Sequence, residues 1–285
     1  MAEERLSCSV CPHRCSLSEG KTGFCRARGM RDGRIVALNY GIVTSMALDP
    51  IEKKPLAMFC PGSVILSVGS FGCDLNCPFC QNWQISMSDG REYLGDMSRH
   101  YISPERLADL ADELRRRGNI GVAFTYNEPL ICWEYVLDTA KILKEKDLRV
   151  VLVTNGCVNA EIAEKVLQYT DALNIDLKSF RAETYKKTLG GDLETVKSFI
   201  AKAAESCHVE LTTLIVPGMN DSEEEIRDMT KWIASLPNGE DIPLHLTRFF
   251  PRHRMTDRNA TDRRTVLKLV SVAEESLHHV FPGNM

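Results

Sequence analysis

The sequence predicts an α/β fold: an open or partial (β/α)6 TIM-like barrel, preceded by a small Cys-rich segment. Three observations predict it. Six short, nearly continuous apolar runs recur at 64–68, 121–126, 150–154, 172–177, 209–216 and 244–250. Amphipathic stretches of helical character separate them. Residues 1–30 are rich in Cys and Gly and show no hydrophobic periodicity. Strands buried on both faces of a parallel sheet read as continuous β-branched runs rather than as alternation. Such strands in series with helices make β-α units. Six units are fewer than the eight of a closed barrel. A doubly wound sheet fits the same pattern and stays open at this stage. In either fold, chemistry belongs at the C-terminal ends of the strands.

Taken in order, residues 1–63 form a Cys-rich metal-binding segment with short strands, and residues 64–285 form the barrel and a C-terminal helix. Residues 33–47 read as one or two strands. Asp49-Pro50-Ile51-Glu52-Lys53-Lys54-Pro55, bounded by two prolines, reads as a charged loop, with closure of Glu52, Lys53 and Lys54 over the site as the alternative. Ser103-Pro104 supplies an N-cap followed by proline at the first helical position. Asn159 caps the stretch holding Glu161 and Glu164, and Ser222-Glu223-Glu224-Glu225 matches a capping box. A last helix is expected over 263–279.

Composition narrows the function. The chain has 285 residues, 44% hydrophobic and 26% charged, with a net charge of −4 from 35 basic and 39 acidic residues. That is ordinary globular usage, and it demands neither nucleic acid nor an anionic membrane. No apolar run approaches the ~20 residues that span a bilayer. Met1-Ala2-Glu3-Glu4-Arg5 has no signal-peptide character, so a cytoplasmic, membrane-free protein is expected. There are eleven cysteines, an odd number, and seven lie in two clusters. In a reducing compartment, clustered cysteines read as metal ligands.

The first cluster follows the first barrel strand: Gly72-Cys73-Asp74-Leu75-Asn76-Cys77-Pro78-Phe79-Cys80. Three thiolates so close together must serve one centre. A 4Fe–4S cluster normally takes four thiolates. Three leave one iron open, and an open iron can bind a substrate. A zinc site completed by a residue such as His100 is the competing reading.

This motif, with an aromatic residue before its last Cys, resembles that of the radical SAM enzymes, most closely the branch around pyruvate formate-lyase-activating enzyme. Together with 49–55, the stretch from Gly72 to Trp83 resembles the radical SAM member of the AmmeMemoRadiSam system. The resemblance implies a partial barrel over roughly 64–250 and places Phe79 near the adenine. It implies that Thr125-Tyr126-Asn127-Glu128-Pro129 is the amino-group site, with Tyr126 and Asn127 where relatives carry two glycines. Glu128 keeps a carboxylate able to accept from an ammonium. It also implies cofactor contacts for Asn155, for Asp176 and Lys178 near the ribose, and for His245. Leu214-Ile215-Val216-Pro217-Gly218-Met219-Asn220-Asp221 resembles the turn that packs on adenine. The bland alternatives are strand-end turns, a salt bridge between Asp176 and Lys178, and a core histidine. Arg248, Arg252, His253 and Arg254 form a basic patch suited to an anionic substrate or an acidic partner.

The second cluster, Cys8, Cys11, Cys15 and Cys25, supplies four thiols, enough to close a zinc site or a second 4Fe–4S cluster. Here the sequence departs from ordinary activating enzymes, where the cluster motif lies near the N-terminus. Cys60, Cys132, Cys157 and Cys207 read as small buried hydrophobes. Cys157, next to Asn155-Gly156, is also a candidate hydrogen-atom donor.

The expected function is reductive cleavage of S-adenosylmethionine to a 5′-deoxyadenosyl radical that abstracts hydrogen from an unidentified small molecule, protein or RNA. An external one-electron donor such as flavodoxin or ferredoxin is implied. The alternatives are activation of a glycyl-radical enzyme and a non-catalytic zinc or iron–sulfur binding protein.

Overall fold

In the computed structural model, which describes residues 4–285, two small antiparallel pairs precede the main sheet. They are β1 (Leu6–Ser7) with β2 (Ser16–Leu17), and β3 (Arg28–Arg31) with β4 (Arg34–Ala37). Strand β5 (Ser45–Pro50) then runs antiparallel to β6 (Val64–Gly69). From β6 the sheet continues in parallel through β7 (Asn119–Phe124), β8 (Arg149–Thr154), β9 (Ala172–Asp176), β10 (His208–Ile215), β11 (Leu244–Arg248) and β12 (Val280–Gly283).

The spatial order of these eight strands is their order along the chain. A doubly wound sheet requires the order to reverse at a switch point. This one never reverses, so each connection adds its strand in the same direction, as in a barrel. Strands β5 and β12 each have a single neighbour, which leaves the barrel open.

The helices between the parallel strands are α1 (Pro104–Glu113), α2 (Trp133–Glu145), α3 (Ala160–Leu167), α4 (Leu193–Ala204) and α5 (Glu223–Ala234), with α6 (Arg263–Ala273) before β12. Alternation along the strands divides the core in two. Leu66, Val68, Val122, Phe124, Val150 and Leu152 pack with helix residues such as Leu107, Val136 and Leu143. Ile65, Ala123, Val151 and Ala172, facing the other way, pack with Ile51 and Leu56. Residues 51–58 therefore plug the barrel interior. Burying Ile51 and Leu56 completely stabilises this arrangement by roughly 1.5–3 kcal/mol for each side chain. The plug is also tied by polar groups. Asn174 Nδ2 donates to the Pro55 carbonyl at 2.8 Å, and the Ala57 and Met58 N–H groups donate to Glu210, each at 2.8 Å.

Four expectations need correction. The loop expected over 49–55 starts as the end of an edge strand (Ser45–Pro50) and continues as a 3-10 turn (Ile51–Lys53), and the sheet begins before residue 64. The last helix ends at Ala273, and the chain closes with a seventh parallel strand. Asn159 occupies an N-cap position, but its side chain makes no cap bond; it donates to the Ser9 carbonyl at 2.6 Å. Ser222 does cap α5, but Glu225 turns away to Ser179 Oγ (2.6 Å) and Phe180 N–H (2.8 Å). The Ser103 cap with Pro104 forms as the sequence suggests. Among the described residues, no helix is long and apolar enough to cross a membrane.

Candidate active site

All seven parallel strands lead into one cavity of about 290 Å³ at their C-terminal ends. The loop after β6 contributes Cys73, Cys77, Phe79 and Cys80. Then come Thr125 to Glu128 after β7, Thr154 and Asn155 at the end of β8, and Asp176 and Lys178 at the end of β9. Thr212 and Leu214 of β10, Thr247 of β11 and Asn284 after β12 complete the wall.

The cysteine loop is held from several sides. Leu75 N–H and Asn155 Nδ2 approach Cys73 Sγ at 3.4 and 3.7 Å. Asn127 Oδ1 accepts from Ser70 N–H at 2.9 Å, and its Nδ2 donates to the Phe71 and Gly72 carbonyls. Arg254 donates through its backbone to Pro78 O and through Nη2 to Asn76 O, both at 2.9 Å. Burial pushes the Cys77 thiol up to about 12, so its thiolate needs positive charge beside it. Among the described residues, neither the three thiols of this loop nor the four of the N-terminal segment are placed to bind a single metal ion as they stand. The three thiols stand around the cavity wall instead. His100, the weighed fourth zinc ligand, lies edge-on to Tyr93 and is not part of that wall.

Glu128 is 2% exposed and already fully engaged. Its Oε1 accepts from Thr154 Oγ1 (2.7 Å) and Leu130 N–H (2.9 Å), and its Oε2 accepts from Asn155 N–H (2.8 Å). Burial, then the nearby Asp74 charge, raises its pKa above the usual carboxylate range. Asp74 was not singled out from the sequence. It is completely buried, with Oδ1 accepting from Asn155 Nδ2 at 2.8 Å and Oδ2 without a partner. Burial raises this carboxyl as well.

Lys178 Nζ pairs with Asp176 Oδ2 at 2.8 Å. Burial works against the charged amine, but the Asp176 carboxylate and Cys77 hold its pKa above that of an ordinary lysine. Tyr126 sits at φ +72°, in the left-handed region its glycine counterparts favour. Its hydroxyl donates to Asp49 Oδ2 at 2.8 Å, and Lys54 Nζ, bonded to the same carboxylate at 2.9 Å, lies 4.7 Å from the ring centroid. Asn220 braces the turn after β10, donating to the Lys178 and Leu214 carbonyls and accepting from Val216 N–H.

Two expected site residues lie elsewhere. His245 is outside the cavity wall; its Nε2 is 2.7 Å from Glu210 Oε2 and its ring stacks on Phe281. Its side chain faces the barrel interior, where Glu210 anchors the plug. Cys157 is 1% exposed and does not line the cavity, and burial raises its thiol, which keeps it protonated. Of the other scattered cysteines, Cys132 is buried but Cys60 is exposed. In the basic patch, Arg248 Nε is bonded to Thr261 O and His253 stacks on Trp83 at 5.1 Å.

The sequence profile of the Radical SAM superfamily matches residues 67–233. This covers more than half of the chain, which therefore belongs to the radical SAM superfamily and is an enzyme of that class. Over 285 aligned residues it is 34% identical to "Uncharacterized protein MJ0808" of Methanocaldococcus jannaschii, covering 99% of this chain and 82% of the relative. It is 29% identical to the pyruvate formate-lyase-activating enzyme of Clostridium pasteurianum, over 61% of this chain and 71% of that one. It is 27% identical to a putative glycyl-radical enzyme activating enzyme of M. jannaschii, over 69% of this chain and 75% of that one. Among solved structures, a domain of pyruvate-formate lyase-activating enzyme from Bacteroides vulgatus aligns at a TM-score of 0.50 and 21% identity, over 57% of this chain and 99% of that one. Streptococcus suis SuiB bound to its precursor peptide aligns at 0.57 and 13%, over 76% of this chain and 47% of that one. These likenesses support the fold.

Membership brings a 4Fe–4S cluster and S-adenosylmethionine as cofactors. The residues present fit them. Three thiols face one cavity, N–H groups approach a sulfur, and Thr212 Oγ1 is buried in the wall without a partner. A buried hydroxyl without a protein partner in a cavity wall can bond to whatever fills the cavity.

Proposed function

We propose that the chain cleaves S-adenosylmethionine reductively at a 4Fe–4S cluster on Cys73, Cys77 and Cys80, and abstracts hydrogen from a further substrate. The observation that carries this is the convergence of these three thiols with elements from every parallel strand on one cavity. When bound, the cofactors supply one-electron cleavage of the sulfonium to a 5′-deoxyadenosyl radical, with the electron delivered by an external donor such as flavodoxin or ferredoxin.

The chain's own residues position and shield. Phe79, Leu214 and the aliphatic wall offer apolar surface for adenine. Asp176, steadied by Lys178, offers a carboxylate to ribose hydroxyls. Glu128 holds the ends of β7 and β8 together, and Asn155 spans Asp74 and Cys73, so the cofactor meets donors that need no rearrangement. The plug behind the cavity keeps bulk water out of the barrel. His245 has no part in this reading.

Activation of a glycyl-radical enzyme is the second reading. The names of the pyruvate formate-lyase-activating and glycyl-radical activating relatives favour it. The affiliation with the AmmeMemoRadiSam group belongs to the same proposal and rests on the motifs at 49–55 and 72–83.

The test is 5′-deoxyadenosine formation by anaerobically reconstituted protein given S-adenosylmethionine and a strong reductant. Production that disappears in Cys80→Ala is expected. Tightly bound zinc with neither iron nor product would overturn the reading. A stable organic radical on an added glycyl-radical partner would select the second reading.

A further inference from the structure

Cys8, Cys11, Cys15 and Cys25 surround a second, enclosed cavity of about 10 Å³. Cys8, Cys11 and Cys25 are buried, at 6, 7 and 6% exposure. The Phe24 backbone N–H is turned toward the Cys15 sulfur at 3.4 Å. Arg28, 5% exposed, lines the same cavity. Its Nη1 is spent on Glu134 (2.8 Å) and the Ile131 carbonyl (3.2 Å), while its Nε is buried without a partner. A buried cationic N–H left unpaired beside four thiols is complementary to an anionic centre.

The same segment forms the backing of the cluster loop. Cys73 N–H donates to the Cys25 carbonyl at 3.3 Å, and His13 Nε2 lies 2.9 Å from the Asp74 carbonyl. Gly72 has φ +87°, and a Cβ there would stand 2.6 Å from Cys25 O and 2.7 Å from Ala27 Cβ. Only glycine permits so close a contact. From the barrel side, Asn159 Nδ2 holds the Ser9 and Cys11 carbonyls.

We propose that Cys8, Cys11, Cys15 and Cys25 hold a second metal centre, and that this centre fixes the Cys73–Cys80 loop through the Cys25–Cys73 backbone bond. The second half rests on the reading of that loop as the cluster site. The centre is a four-thiolate one, a donor set that zinc and a 4Fe–4S cluster both take. The four side chains line the cavity without yet meeting at one point, so they close in as the metal binds, and four S–metal bonds form as the four thiol protons leave to solvent. The segment has only two- and four-residue strands of its own, so its order depends on that metal.

The experiment is metal and sulfide analysis of full-length protein purified anaerobically, with EPR of the reduced form. A triple variant, Cys73→Ala/Cys77→Ala/Cys80→Ala, is expected to keep either one equivalent of zinc or about four irons with sulfide. A metal-free triple variant would overturn the centre. If instead the wild type shows no cluster signal while the triple variant keeps its metal, the radical SAM reading fails and the second centre stands. Cys11→Ser/Cys25→Ser is expected to lose that metal and to shift the EPR signal of the remaining cluster, with several-fold faster iron loss to a chelator. Gly72→Ala, which leaves all seven thiols in place, is expected to keep the second metal and shift the same signal. An unchanged signal and unchanged iron loss in Gly72→Ala would overturn the bracing role.

Discussion

Glu128 Oε2 accepts the Asn155 backbone N–H at 2.8 Å, and this bond joins the end of β7 to the end of β8 in the cavity wall. Glu128→Gln keeps the shape but must turn an NH2 group toward either Asn155 N–H or the Thr154 and Leu130 donors. Leaving a buried donor facing a donor costs about 1–3 kcal/mol. A folded protein with a lowered Tm and at least a tenfold slower 5′-deoxyadenosine formation is expected. A fully active variant would show that Glu128 has no positioning role.

Tyr126 allows strain and contact to be separated. At φ +72° a non-glycine residue costs on the order of 1 kcal/mol. Tyr126→Ala keeps that strain and loses both the Asp49 hydrogen bond and the Lys54 contact. Tyr126→Gly loses the same contacts and relieves the strain. Urea unfolding should therefore rank the glycine variant above the alanine variant by about 1 kcal/mol, with both below the wild type. The reverse order would mean that the backbone relaxes when the ring is gone.

Lys178→Met removes the partner of Asp176 while keeping most of the side chain's length. The carboxylate then faces the cavity uncompensated, although it is 34% exposed and partly screened. S-adenosylmethionine affinity, read by equilibrium binding to cluster-loaded protein, should fall several-fold, with iron content unchanged.

Glu210 supplies the pH dependence. Burial alone would raise its pKa, but hydrogen bonds from His208, His245, Met58 N–H and Ala57 N–H lower it to about 2. A carboxyl lowered in the folded state contributes stability above its unfolded value of about 4.3, and that contribution is lost as pH falls through the folded value. At most roughly 3 kcal/mol is at stake. Wild-type stability should fall from pH 5 toward pH 2.5. Glu210→Gln should be less stable at pH 6 and show a shallower fall. Parallel profiles would place the acid-sensitive group elsewhere.

The six continuous apolar runs were legible because strands covered on both faces leave no room for polar alternation. Strand β12 was hidden because Val280-Phe281-Pro282-Gly283 carries a proline and a glycine, which only an edge strand tolerates. Strand β5 was caught only at its start, within the strands expected over 33–47, because Ser45–Pro50, also at an edge, is half exposed. In the site, the motif residues after β6, β7, β8 and β9 fall on one rim, since a strand end fixes where its loop begins. Nothing in the sequence marks Asp74, because what buries it is packing by segments distant in sequence, including His13. His245 was misplaced because a strand residue's side chain can point to the mouth or to the interior layer behind it, and composition does not choose.

Arg254 reaches across 178 residues to the Asn76 carbonyl, and that distance along the chain is also a distance in time. At about 5–20 residues per second, the arginine leaves the ribosome on the order of ten to forty seconds after the loop it clamps. During that interval Cys73, Cys77 and Cys80 belong to a chain without its last strands, exposed to metal carriers and oxidants alike. Loading a nascent chain and loading a finished one are thus different events: the first meets an open loop, and the second must part a clamp that the whole fold has closed.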